Sequence, residues 1–513
     1  MDQVTPLYLV LNLGFRSLRA CVFTQEGEVL FRASRSVETI QLSEGVEQSP
    51  IELISKLETL LEAVAEHPSI VKRIQFMTFT GSSTCLIATD INYHAIGNCL
   101  LVADRRAAPE AVEISEMKEF KSLSIKGRHD LDGTQMLPKI LWKKRHTDLP
   151  KSGVRYLSLN DFFCAFFTGR AFTDNFNAAK LYFDVTERTY PKALYQKLGI
   201  QLDELPEVVQ PGTVAGELLE KFATRFHLPK SCRYVVSSYD AICGFWGSHP
   251  KPFEACDVSG TVTSLRALVT PNSETQFSSK LFYQEINSQI GILGGSNNLG
   301  GGLVEWAKDL FFREEEDPYL AIESQARDSL PGARGLLFLP YLLGERAPLW
   351  NADARGVFLG IERFHHRGDF ARAILESAGF ALLDLLNEIE FSGFPIHRIR
   401  TSGGLSRLSF AAELKADITG REIVRLDDFE STSVGAFILM AAGVGSFASP
   451  MDAAEKLVQP KEIISPNMKN HEAYRQAHML YKDAYHTLIP FFEKRQQVCK
   501  LLYGDTIFEA LNL

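Results

Sequence analysis

The spacing of apolar residues along this chain separates strands from helices. Leu7–Leu13 is a nearly continuous apolar run ended by Gly14, and Leu18–Phe23 resumes it. Gln25-Glu26-Gly27-Glu28 makes a turn before Val29-Leu30-Phe31, so residues 7–31 read as three strands joined by tight turns. Over 50–66, Ile51, Leu53, Ile54, Leu57, Leu60, Leu61 and Val64 share helical spacing. Ile74–Phe79 predicts the next strand, ended at Gly81. Residues 369–391 predict an amphipathic helix. Ile399–Ser402 predicts a strand before Gly403-Gly404, followed by a helix from about Leu408 to Thr419, and the tail from about Asn470 is helical. Alternation of this kind predicts an α/β architecture.

One stretch recurs. Gly14-Phe15-Arg16-Ser17-Leu18-Arg19-Ala20 is echoed by Gly260-Thr261-Val262-Thr263-Ser264-Leu265-Arg266-Ala267, each after an apolar strand. The echo points to an internal duplication and two similar domains facing each other, with a chance match of four residues as the alternative. Gly247-Ser248-His249-Pro250-Lys251-Pro252 breaks the pattern between them, so the expected domains are 1–249 and 250–513.

Composition narrows the class. With 513 residues, 45% hydrophobic and 23% charged, the chain is a folded protein too long for one core. A net charge of −9 argues against nucleic acid as a partner. The eight cysteines form no C-x-x-C pair and read as buried thiols of a reducing compartment. The N-terminus shows no basic-then-apolar leader and no apolar run reaches membrane length, so a cytoplasmic protein without membrane contact is expected.

There is no P-loop and no G-x-S-x-G elbow. Gly443-Val444-Gly445-Ser446-Phe447-Ala448 fits a dinucleotide fingerprint but follows a helix rather than a strand, which removes its meaning. Glycines cluster at Gly14, Gly260, Gly294-Gly295, Gly300-Gly301-Gly302 and Gly403-Gly404, each beside a strand end or helix start. Glycine lets backbone amides approach a phosphate closely, so the set points to a nucleotide held between the two domains. Asp240 follows the apolar strand from Tyr234 and opens a helix, the position of a general base in an open α/β sheet; an N-cap aspartate is its other reading.

On these residues the chain resembles the FGGY carbohydrate kinases, the group containing glycerol kinase, xylulokinase and gluconokinase. Gly356-Val357-Phe358-Leu359-Gly360-Ile361, then Asp369-Phe370-Ala371-Arg372-Ala373-Ile374-Leu375-Glu376, is similar to the second family signature at every constrained position. The loop Leu337–Trp350, Ser402-Gly403-Gly404, and Thr173-Asp174-Asn175 with Asn177-Ala178 also resemble family segments. Lys139-Ile140-Leu141-Trp142 keeps part of the first signature, with Lys143 where an apolar residue is usual.

The resemblance implies two actin-like (ribonuclease H-like) domains with an interdomain cleft, and an ATP- and Mg²⁺-dependent sugar kinase. Asp240 would be the base. Gly260 and Thr261 would hold phosphates, Gly301 would lie near the nucleotide, and Gly403 and Gly404 would face adenosine. Gly14 belongs to the same phosphate-side set. Ser82, Ser83, Thr84, Asp104 and Arg106 match substrate contacts, and a homodimer is expected. The family opens with Asp-x-Gly-Thr, whose aspartate helps to hold Mg²⁺. Here Asn12-Leu13-Gly14-Phe15 stands in its place, which weakens a metal site shared with Asp240. Arg16 would bring positive charge to the phosphates instead. Tyr239 replaces a glycine before the base, and Leu408 an adenine-facing asparagine. Ser83-Thr84 offers neutral hydrogen bonds and space, which fits a polyol or ketose larger than glycerol; Gly344–Trp350 looks somewhat like gluconokinases. The expected function is phosphorylation of a sugar, ketose, polyol or sugar acid. Asn12, Phe15 and Tyr239 motivate the rival reading, a catalytically weakened sugar- and nucleotide-binding regulator.

Overall fold

A computed structural model describes residues 5–42, 45–123, 131–260, 262–287, 289–426 and 430–510, with side chains given to 504. Two sheets organise it. The first uses β1 (Leu7–Leu13), β2 (Ser17–Phe23), β3 (Val29–Ser36), β4 (Ile74–Gly81), β5 (Val214–Glu217) and β6 (Arg233–Val235). Its order is β5-β6-β4-β1-β2-β3. The second uses β7 (Glu254–Ser259), β8 (Thr263–Val269), β9 (Phe282–Glu285), β10 (Gly291–Ser296), β11 (Arg398–Ser402), β12 (Glu422–Leu426) and β13 (Pro460–Ile464). Its order is β9-β10-β8-β7-β11-β12-β13.

The repeated sequence builds a repeated unit. β1 pairs antiparallel with β2 and parallel with β4. β7 likewise pairs antiparallel with β8 and parallel with β11. The two hairpins expected from the Ser-Leu-Arg-Ala echo are thus the centres of the two sheets. β1 is buried at every position, as its unbroken apolar run requires of a strand covered on both faces.

Helices fall where the 3.6-residue spacing placed them: α1 (Pro50–Ala65), α5 (Arg367–Phe391), α6 (Ser409–Thr419) and the terminal α8 (Met468–Ala510). The others used below are α2 (Asn175–Ala179), α3 (Asp240–Trp246), α4 (Gly301–Phe311) and α7 (Ser431–Gly443). One apolar core lies under the first sheet against α1, and another between the halves. The latter combines Tyr8, Val10, Cys21 and Phe23 with Ile242 and Phe245 of α3 and the apolar face of α7. α3 and α7 touch backbone to backbone. A Cβ on Gly435 would collide with the Cys243 carbonyl oxygen, and one on Gly247 with that of Ser431.

All eight cysteines are free, seven of them buried. Among the described residues no helix is long and apolar enough to cross a membrane.

Candidate active site

Asp240 is the first residue of α3, and Tyr239 occupies the N-cap position, so the N-cap reading of Asp240 is off by one residue. Its carboxylate accepts from the Ala241 N–H at 2.7 Å and from the Ser82 hydroxyl at 2.9 Å. Ser82 follows the end of β4, so the parallel arrangement of β4 and β6 brings two distant segments together. Burial pushes the Asp240 carboxyl above the usual range; Ser82, the Ala241 amide, Arg266 and Arg346 pull it back. A carboxylate held this way accepts protons more readily than an ordinary surface one.

The segment after Ser82 is held under tension. Thr84 sits at φ +57°, a left-handed conformation costly for a β-branched residue, and its hydroxyl is buried without a partner. The fully buried Lys139 ammonium fixes it by donating to the Thr84 carbonyl at 3.0 Å and the Leu101 carbonyl at 2.6 Å. Lys143, the unexpected lysine of the first signature, is also buried and donates to the Asn98 carbonyl at 3.0 Å. Ser83 is half-exposed beside them.

Asp104 and Arg106 spend most of their polar atoms internally. The fully buried Asp104 accepts from the Val46 N–H at 3.0 Å and from Arg106 at 2.7 Å. Arg106 also donates to Glu47 and lies 4.6 Å over the Trp142 ring. They tie the Val46–Glu47 segment to the residues after Leu101, while the Arg106 Nη1 has no internal partner among the described residues.

The glycines converge as a set. The Gly301 N–H donates to the Gly260 carbonyl at 2.7 Å, and a Cβ on Gly301 would meet that oxygen at 2.7 Å. Gly403, at φ +87°, leaves a Cβ only 2.6 Å from the Ser259 carbonyl oxygen and 3.1 Å from the Gly260 nitrogen. Gly404 faces open space, and Thr261 lies outside the described residues. The buried Asp257 beneath the cradle accepts from Lys415 and, at 2.7 Å, from Thr401.

Asn12, at the end of β1, donates its amide to the Ser433 hydroxyl of α7 at 3.0 Å. Gly14 closes the β1–β2 turn by donating to the Ser17 carbonyl at 2.9 Å. Arg16 is exposed and acts on Glu305 of α4; burial raises that carboxyl, and Lys308, Tyr319 and Arg16 together bring it below its usual range. Among the described residues no three His, Cys, Asp or Glu side chains cluster as a metal site. Asn12, neutral and tied to Ser433, and Asp240 supply one carboxylate between them, so these residues do not fit an Mg²⁺ held by the protein itself.

The sequence reading missed three cations beside Asp240: Lys180 after α2, Arg266 on β8 and Arg346. Arg266 was visible as a charge inside the apolar run Leu265–Val269. Arg346 stands inside the family-like loop Leu337–Trp350, and Lys180 carries no local signal.

Two sheets of repeated topology, a hydrogen-bonded carboxylate at the start of a helix, and Gly260, Gly301 and Gly403 meeting backbone to backbone together define a class. The family model for the N-terminal domain of the FGGY family of carbohydrate kinases matches residues 7–247, and that for its C-terminal domain matches 258–444. The chain belongs to this family and is a carbohydrate kinase. It is 27% identical over 485 residues to a xylulose kinase of Bacillus subtilis, covering 93% of this chain and 96% of that one. A gluconokinase of the same organism is 25% identical over 504 residues, with 95% of each chain covered. A ligand-bound xylulose kinase of Lactobacillus acidophilus superposes with a TM-score of 0.86 at 22% identity, over 95% of this chain and 99% of that one.

Proposed function

We propose that this kinase transfers the γ-phosphoryl group of ATP to a hydroxyl of a sugar, ketose, polyol or sugar acid. The observation that carries the reading is the Ser82–Asp240 contact of 2.9 Å, which joins the expected acceptor segment to the expected base. Asp240 takes the acceptor's hydroxyl proton as the oxygen attacks the γ-phosphorus, and ADP leaves with the electrons of the broken P–O bond. Ser82 orients the carboxylate, while Ser83 and Thr84 offer neutral hydrogen bonds to the acceptor. The amides of Gly260 and Thr261 and the start of α4 at Gly301 receive the phosphates, and Gly403 and Gly404 the adenosine. Mg²⁺ enters on ATP as part of the substrate. The division into 1–249 and 250–513 assigns the acceptor to the first unit and the nucleotide to the second. The expected homodimer is part of the same reading.

Relatives named xylulose kinase and gluconokinase support the acceptor class. The test is a coupled ADP-release assay over ketoses, polyols and sugar acids, beside isothermal titration of ATP. ATP turnover that rises with at least one acceptor is expected. ATP binding without turnover on every acceptor would overturn the reading in favour of a binding regulator.

A further inference from the structure

Two arginines share a place in the repeated Ser-Leu-Arg-Ala sequence, Arg19 opposite Asn12 on β1 and Arg266 opposite Cys256 on β7, and meet different fates. Arg19 on β2 donates to Glu430 at 3.2 Å. Arg266, its counterpart on β8, is 8% exposed, and its Nη1 is buried without a hydrogen-bond partner. No described carboxylate lies within ion-pair distance of it. A guanidinium buried in this state is costly and calls for an anion.

Two more cations face the same place. The Lys180 ammonium lies 4.8 Å from the Phe282 ring and 5.5 Å from the Tyr239 ring, with no hydrogen-bonding partner among the described residues. Arg346 donates from Nη2 to the Asn297 carbonyl at 2.9 Å, while its Nε is buried without a partner. Arg266 and Arg346 each act on Lys180 and on Asp240. The acidic groups acting on the cluster are Asp240, Asp132 and Glu345. Asp132 is engaged by Thr134, and Glu345 accepts from the Asn298 and Arg346 amides.

Position tells which anion fits. Arg266 stands three residues along β8 from Thr263, so about 10 Å of strand separates it from the glycine cradle that receives ATP. Its charge acts on Asp240, the neighbour of the Tyr239 ring that Lys180 overlies, which puts it on the acceptor side in the kinase reading. We propose that Lys180, Arg266 and Arg346 form a carboxylate subsite, and that the acceptor is a sugar acid whose anionic end they hold while its distal hydroxyl reaches Asp240. This rests on the kinase reading above and names its substrate class; Arg266 and Lys180 become specificity residues.

The test compares D-gluconate with D-glucitol, an acid and a neutral alditol of equal carbon number, in the parent and in Arg266→Met and Lys180→Met. In the parent, kcat/KM favours gluconate by about tenfold or more. Each variant raises the gluconate KM by about 10- to 100-fold, the scale of one charge-assisted hydrogen bond. The ratio of gluconate KM to alditol KM rises by at least about tenfold in each variant, whatever common change in kcat follows from the lost charge near Asp240, and the ATP Kd stays within about threefold. If Arg266→Met does not fold, Lys180→Met on the half-exposed side carries the test, together with the rise in parent Tm on adding gluconate alone. A parent that prefers the alditol, equal losses for both acceptors, or a loss confined to ATP affinity would each overturn the subsite. The last outcome would assign the cations to nucleotide phosphates. A parent that phosphorylates glucitol but not gluconate leaves the kinase reading standing while the subsite falls. Turnover of no acceptor would instead overturn the kinase reading.

Discussion

Replacing Asp240 by Asn isolates proton transfer from binding. Asparagine has the same shape, and its carbonyl oxygen can still accept from Ser82 or Ala241, which now stand 2.9 and 2.7 Å from the carboxylate. It cannot take a proton. Loss of a positioned base costs about 10²- to 10⁴-fold in kcat, or about 3–5 kcal/mol of barrier. A second consequence follows from charge. Asp240 is an anion acting on both Arg266 and Arg346, so the variant leaves the three cations less compensated and lowers stability. The assay is ADP release with saturating ATP and acceptor, beside ATP titration and urea unfolding. The expected pattern is kcat down by at least about a hundredfold, ATP Kd within about threefold, and a lower urea midpoint. A kcat within about threefold of the parent would refute the role of Asp240 as base, and a large loss of ATP affinity would refute its separation from the nucleotide.

Gly435→Ala should destabilise the protein by about 3 kcal/mol, because its Cβ meets the backbone of α3 and neither helix can yield locally; urea unfolding checks it. Arg16→Ala should raise the ATP Kd by about two- to fivefold, the worth of one exposed charge contact, and a titration showing no change would remove Arg16 from the phosphate side. Burial, and then Arg266 and Arg346, push the Lys180 amine down to about 7. A bound carboxylate favours its charged form, so gluconate KM should rise as pH climbs through about 7 while glucitol KM stays flat. Glu345, pushed up to about 7 mainly by burial, gains negative charge over the same range and acts in the same direction.

Periodicity reached the central strands as continuous apolar runs ended by glycine and the long helices as one buried face at 3.6-residue spacing. β1 and β2 were legible from an apolar run, a glycine and a second run; β8 repeated the pattern. The close backbone meeting of Gly260, Gly301 and Gly403 was legible in part, since Gly301 and Gly403 stand where a Cβ would strike backbone. Other parts of the site were not. Asp104 and Arg106 match substrate positions in the resemblance, and only tertiary contact reveals that they also pair with each other, Val46 and Glu47. Lys143 looked like a flaw in a signature; in the fold its stem is buried and its ammonium caps the Asn98 carbonyl. Arg266 was read as part of an echo, which hid the difference that counts: Arg19 has Glu430, and Arg266 has no such partner.

One departure from the family pattern and the cation cluster act in the same electrostatic direction. Asn12 removes a negative charge from the end of β1, while Lys180, Arg266 and Arg346 concentrate positive charge near Tyr239 and Asp240 in a chain whose net charge is −9. A neutral acceptor gains little from three such cations, and their burial costs stability. An acid acceptor brings its own negative charge toward the phosphates of ATP. At a separation of about 7 Å and an effective dielectric of about 20, each pair of unit charges repels by about 2 kcal/mol. Cations on the acceptor's carboxylate offset that repulsion without drawing on the nucleotide's own metal ion, and a neutral Asn12 adds none of it back. The same charges that make the burial of Arg266 costly therefore favour one chemical class of acceptor over its neutral isosteres.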